Sequence, residues 1–210
     1  GALTNDAGLI QAGSAVVLNT QGAALSNTNS GTDKGILSQG SITLQTGDLI
    51  NQAGFIGAAG NLSATSANVT NSQAGVIASK GSIDLNASGL SNQGAQIQAS
   101  NSVSINAGSG SVRNNQGASV VAVGGALSVS AGAVDNSAGA LQSGKDLSIA
   151  SQGLNNAGGT VSGQGVTIAA GTGALNNTGG TLSATAGLSS TSGALTNDAG
   201  LIQAGSAVVL

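Results

Sequence analysis

The chain has 210 residues, a net charge of −3, 40% hydrophobic residues and 36 glycines, with Phe55 its one aromatic and no Pro, Cys, His, Met, Trp or Tyr. Every acid is an Asp, so His, Glu, Cys and Tyr are all missing as general bases or nucleophiles. Lys34, Lys80, Arg113 and Lys145 are too few to neutralise a run of phosphates, and no aromatic platforms exist for base stacking, so nucleic acid is excluded as a partner.

A low charge with this hydrophobic content predicts a folded chain built from small aliphatic and hydroxyl side chains. No apolar run approaches the roughly 18 residues needed to span a bilayer. No basic stretch precedes an apolar one, so any secretion signal is expected outside this segment. The lack of Cys leaves the redox compartment open.

From the N-terminus onward one phrase recurs: an apolar residue, any residue, Asn, then a Gly-rich step. It reads Leu3-Thr-Asn5, Leu25-Ser-Asn27, Leu49-Ile-Asn51, Val69-Thr-Asn71 and Leu90-Ser-Asn92. It continues through Val112-Arg-Asn114, Val134-Asp-Asn136, Leu154-Asn-Asn156, Leu175-Asn-Asn177 and Leu195-Thr-Asn197. The mean spacing is about 21 residues, (197 − 5)/9, and individual spacings run from 20 to 24. Gly1–Leu18 and Gly193–Leu210 are identical, so nine such units form a longer period of 192 residues (193 − 1).

Each unit holds two further runs with the alternation of a strand. The first includes Ile10-Gln-Ala12, Ile56-Gly-Ala58, Ile97-Gln-Ala99, Leu141-Gln-Ser143 and Leu182-Ser-Ala184. The second includes Val16-Val-Leu18, Ile42-Thr-Leu44, Ile83-Asp-Leu85, Val103-Ser-Ile105, Leu127-Ser-Val129, Leu147-Ser-Ile149 and Val166-Thr-Ile168. Three short strands per unit are therefore predicted, and no window has helical periodicity. Tight hairpins favour Asn-Gly, yet 20 Asn and 36 Gly never form that pair. A parallel β-helix of about nine to ten rungs fits instead, each strand stacking on its equivalent one rung away. Residues 1–210 read as a single segment of it. Neither end differs from the interior as capping repeats do, so both termini are expected to be cuts through a longer array.

Stacking turns equivalent positions into columns. Leu3, Leu25, Leu49, Val69, Leu90, Val112, Val134, Leu154 and Leu175 form one aliphatic column; Val16, Ile42, Leu62, Ile83, Val103, Leu127, Leu147, Val166 and Leu188 form another. Ala12, Ala58, Ala99 and Ala184 are the small residues expected to face them. Asn5, Asn27, Asn51, Asn71, Asn92, Asn114, Asn136, Asn156, Asn177 and Asn197 are placed at a corner, where Asn tolerates left-handed φ and stacked amides bond one another as a ladder. Between the apolar residues of the last strand, Thr43, Ser63, Ser104, Ser128, Ser148, Thr167 and Ser189 form an outward hydroxyl face, with Val17 and Asp84 as the exceptions. That face suits glycans, a neighbouring filament or ice; the preponderance of Ser over Thr weighs against ice. Phe55 breaks the pattern and is expected to cover a local gap or point outward, without making a binding site alone.

Other chemistry is thin. The Asp residues fall at different places in different repeats, so no metal-ligand cluster is expected, and the calcium-binding Gly-Gly-x-Gly-x-Asp repeat is missing. Gly139-Ala-Leu-Gln-Ser-Gly144-Lys145-Asp146 nearly spells a phosphate-binding loop but ends in Asp instead of Ser or Thr, and no helix follows. Asn-x-Ser/Thr triplets at Asn61, Asn68, Asn86 and Asn176 arise readily in such a composition. No cofactor is expected.

Phrases such as ALTNDAGLIQAGSAVVL, LSNQGAQIQASNSVSIN and LNNAGGTVSGQGVTIAA resemble the filamentous haemagglutinin repeats of large bacterial exoproteins, across essentially the whole chain. The resemblance implies a right-handed parallel β-helix forming the shaft of a secreted or cell-surface adhesin, exported through an outer-membrane transporter by two-partner secretion. In some such proteins the shaft carries a toxin for contact-dependent growth inhibition at its tip. The secretion and tip domains have no match here. A structural shaft is the reading that follows, extending a distal binding or toxin domain. A glycan- or filament-binding Ser/Thr face is the alternative, and a carbohydrate-cleaving enzyme is disfavoured by the missing Glu and His.

Overall fold

A computed structural model describes residues 1–210 as thirty short strands without a helix. They form three ten-stranded parallel sheets, and each rung of the coil gives one strand to each sheet. The first sheet begins with Leu3–Asp6 and Leu25–Thr28, the second with Leu9–Ala12 and Gly35–Ser38, the third with Val16–Asn19 and Ile42–Gln45. Every strand pairs with its counterpart one rung away, so the chain is an all-β parallel solenoid of ten turns.

The register matches like with like. Leu3 lies beside Leu25, Asn5 beside Asn27, Ile36 beside Ile56, and Ile83 beside Val103. Strands of about four residues with two apolar positions put both toward the axis, because side chains alternate across a strand. The second sheet supplies a column of Ile36, Ile56, Ile77, Ile97, Val120, Leu141, Val161 and Leu182, all fully buried. It joins the columns of the other two sheets in one cluster of 39 residues that runs the length of the coil. Each buried Leu, Ile or Val stabilises the fold by about 1.5–3 kcal/mol relative to exposure. Of the small residues assigned to the interior, Ala58, Ala99 and Ala184 are buried, and Ala12, in the first rung, is half-buried.

The coil absorbs length variation at its corners. The longest spacing, from Asn27 to Asn51, is taken up by an exposed turn over residues 31–34, after which Gly35–Ser38 rejoins the second sheet in register. The near phosphate-binding loop is likewise two strands, Ala140–Ser143 and Leu147–Ala150, joined by a bend.

One local expectation is corrected. No ladder asparagine adopts positive φ; the left-handed residue lies two positions later, as Ala7, Asn29, Ala53, Gln73, Gly94, Gln116, Ala138, Gly158, Gly179 and Ala199. Each Asn lies in a strand or directly after one, with its side chain inward. The turn that follows supplies the reversal.

Candidate functional surfaces

The asparagine column forms a continuous chain of amides. Asn5 Nδ2 donates to Asn27 Oδ1 at 2.8 Å, Asn27 to Asn51 at 2.8 Å, Asn51 to Asn71 at 2.7 Å and Asn71 to Asn92 at 2.7 Å. The chain continues from Asn92 to Asn114 at 2.7 Å, Asn114 to Asn136 at 2.8 Å, Asn136 to Asn156 at 2.7 Å, Asn156 to Asn177 at 2.7 Å and Asn177 to Asn197 at 2.6 Å. The same nitrogens also reach corner carbonyls: Asn51 bonds Gly54 O at 3.1 Å within its rung and Val76 O at 3.1 Å on the next. From Asn27 to Asn177 these side chains are fully buried. An amide is amphoteric, so each link satisfies one buried acceptor and one buried donor. Buried inside the corner, these residues are out of reach of any large ligand.

The hydroxyl face lies on the outside of the third sheet. Thr43 pairs with Ser63, Ser104 with Ser128, Ser128 with Ser148, Ser148 with Thr167, and Thr167 with Ser189. Asp84 separates Ser63 from Ser104 in the same row. Ser104, Ser128, Ser148, Thr167 and Ser189 are exposed, and Thr43 and Ser63 are half-buried. Successive hydroxyls therefore follow the strand spacing of about 4.8 Å.

Two aspartates have altered acidity. Hydrogen bonds from Asn29 and Thr28 hold the exposed Asp6 carboxyl below its ordinary value. At Asp135 burial pushes the carboxyl up, but hydrogen bonds from Ser137, Asn115 and Asn155 outweigh it and leave the group below its ordinary value. Asn115 Nδ2 lies 2.8 Å from Asp135 Oδ2, and Asn155 Nδ2 and Ser137 N lie 3.0 and 3.1 Å from Oδ1. The donors come from three adjacent rungs, so this carboxylate clamps them side by side. Nowhere do three His, Cys, Asp or Glu side chains converge as a metal site would require.

Phe55 points outward from the second sheet and lies across Gly57 of its own strand. A Cβ at Gly57 would fall 2.6 Å from Phe55 Cε1 and 3.5 Å from Leu37 Cδ2, so these two apolar side chains converge over the glycine. The ring fills the place of a missing side chain and forms part of a shallow groove of about 410 Å³. The sequence signal is slight: an aromatic with Gly two positions on, occurring once.

The haemagglutinin repeat profile matches residues 1–72, 50–122, 98–177 and 160–210. Comparison with curated proteins and with solved structures finds no match. Because the four matched stretches tile the whole solenoid, the chain belongs to the haemagglutinin repeat family.

Proposed function

We propose that this solenoid is a shaft section of a secreted or cell-surface bacterial adhesin, a rigid spacer that holds a distal binding or toxin domain away from the cell. The family context of two-partner secretion gives an outer-membrane transporter as the export partner. The observation that carries the reading is continuity: one core and one amide ladder pass through ten rungs without a gap. In such a coil each rung touches only its neighbours, so length is added without redesigning the core. Nine spacings of about 4.8 Å give roughly 43 Å of reach per 192-residue period.

The reading is tested by inserting one and then two copies of the period into a surface-displayed adhesin. The distance from tip to membrane in electron micrographs should grow by roughly 43 Å per copy with the tip's ligand unchanged; an unchanged distance contradicts it.

The exposed hydroxyl row supports a second reading, a flat face that engages glycans or a neighbouring filament. Binding of the isolated chain on a glycan array, lost when Ser104, Ser128 and Ser148 are all replaced by Arg, would favour it.

A further inference from the structure

The second inward column of the third sheet changes character at Ser190. From Leu44 through Leu85, Ile105, Val129 and Ile149 to Ile168 the column is aliphatic and buried, with Ala64 as its one small member. Ser190 stands next, paired with Ile168, and is 5% exposed. Its Oγ is buried and has no hydrogen-bond partner. The buried Ser38 and Ser79 of the second sheet differ, because their hydroxyls donate to Ser14 O at 2.9 Å and Gly60 O at 2.6 Å. Ser66 Oγ and Asn115 Oδ1 are also unpartnered, but they belong to half-buried residues at corners. We infer that Ser190 makes the ninth rung a built-in joint, the rung at which the solenoid opens first.

Two costs meet at this position. A hydroxyl taken out of water without a partner carries a penalty that opening relieves, because water then supplies the missing bond. Ser is also shorter than the Ile, Val or Leu of the column, so fewer van der Waals contacts form there. Ala64 has the second cost without the first, since it holds no polar side-chain atom. Local openings come from the least stable part of a fold. In a solenoid that part is one rung and its neighbours, because stability is a sum of rung and neighbour contributions. A weak ninth rung therefore opens while the rungs before it stay folded. In a rod under load such a rung yields before the rest and closes again on release. That use rests on the shaft reading, whereas the order of opening does not and is measured on the free chain.

The chain supplies its own control. Gly1–Leu18 and Gly193–Leu210 are identical, so the second and ninth rungs each lie next to a rung of the same sequence. In the second rung the strand Ile42–Gln45 buries Leu44 where Leu188–Thr191 buries Ser190. Native-state amide hydrogen exchange, followed by NMR on the 210-residue chain, should give Leu188–Thr191 protection factors about tenfold or more below those of Ile42–Gln45. Ser190→Ala removes the hydroxyl alone, and Ser190→Val also fills the gap. A rise in protection of Leu188–Thr191 in either variant, with Ile42–Gln45 unchanged, bears the inference out. Ser189→Val, on the outer face, should give no such rise. The inference is overturned if the two strands are equally protected in the parent chain. It is overturned as well if both Ser190 variants leave protection unchanged or lower it, or if Ser189→Val raises it equally.

Discussion

At the scale of the residue, the ladder asparagines carry the largest single-site consequences. Asn114 accepts from Asn92 at 2.7 Å and donates to Asn136 at 2.8 Å and to Ala140 O at 2.9 Å. Asn114→Ala leaves the buried Asn136 Oδ1 without its donor, at about 1–3 kcal/mol, while Asn92 Nδ2 keeps Ala95 O and Ser119 O as acceptors. Urea unfolding should show a loss of about 1–3 kcal/mol. The exposed Asn106, which donates to Asn86 at 3.4 Å and accepts from Gly108 N at 3.1 Å at the surface, should lose less on substitution by Ala. Asp135 adds a pH dependence whose sign follows from its lowered carboxyl. A depressed folded-state value means that its contribution is complete above the ordinary value of 3.8 and is lost as pH falls through the lower folded value. Thermal melts between pH 5 and pH 2 should therefore show a stability loss that Asp135→Asn reduces; identical profiles for the two proteins would show that Asp135 has no part in it.

At the scale of the element, the corner after the first sheet joins three requirements: an inward Asn, a left-handed residue two positions on, and close approach to the rung before. Gly139 shows the last. A Cβ there would overlap the carbonyl oxygen of Asn114 and stand 2.8 Å from Asn136 Oδ1. Its φ is not positive, so the demand is for space. Gly139→Ala should lower the melting temperature measurably, whereas Gly13→Ala, where a Cβ meets nothing within 4 Å, should leave it within error. The recurring Asn and the Gly-rich step after it make this corner legible in the sequence. The left-handed position is not legible there, because Ala, Gln, Asn and Gly all occupy it and no column of one residue type marks it. The apolar columns stand out through nine repetitions at spacings of 20 to 24 residues, and the outward hydroxyls through seven of nine positions. Phe55 over Gly57 and the clamp around Asp135 each occur once, and a single occurrence has no periodic signal. Both depend on contacts between side chains that spacing alone does not reveal.

At the scale of the whole molecule, the duplicated stretch forms the last rung of the coil. Leu195, Asn197, Ile202 and Val208 repeat Leu3, Asn5, Ile10 and Val16, and they stack on Leu175, Asn177, Leu182 and Leu188. The structure thus stacks a second copy of the first rung's sequence on the ninth rung in the same register. Interior rungs bury the same positions almost completely: Leu175 and Leu182 are fully buried, while Leu195 is 37% exposed and Val208 41%. A following rung would cover them with no change of register. Solenoid energetics as a sum of rung and neighbour contributions make each added period a further segment of the same core.

The central claim, that this chain is a length-adding rod, is tested most directly by small-angle X-ray scattering on the 210-residue chain and on a tandem form extended by one 192-residue period. The account predicts an unchanged cross-section radius and a maximum dimension larger by roughly 43 Å, nine rungs at about 4.8 Å each. A tandem form that grows in cross-section, or whose maximum dimension rises only as the cube root of its mass, would contradict it.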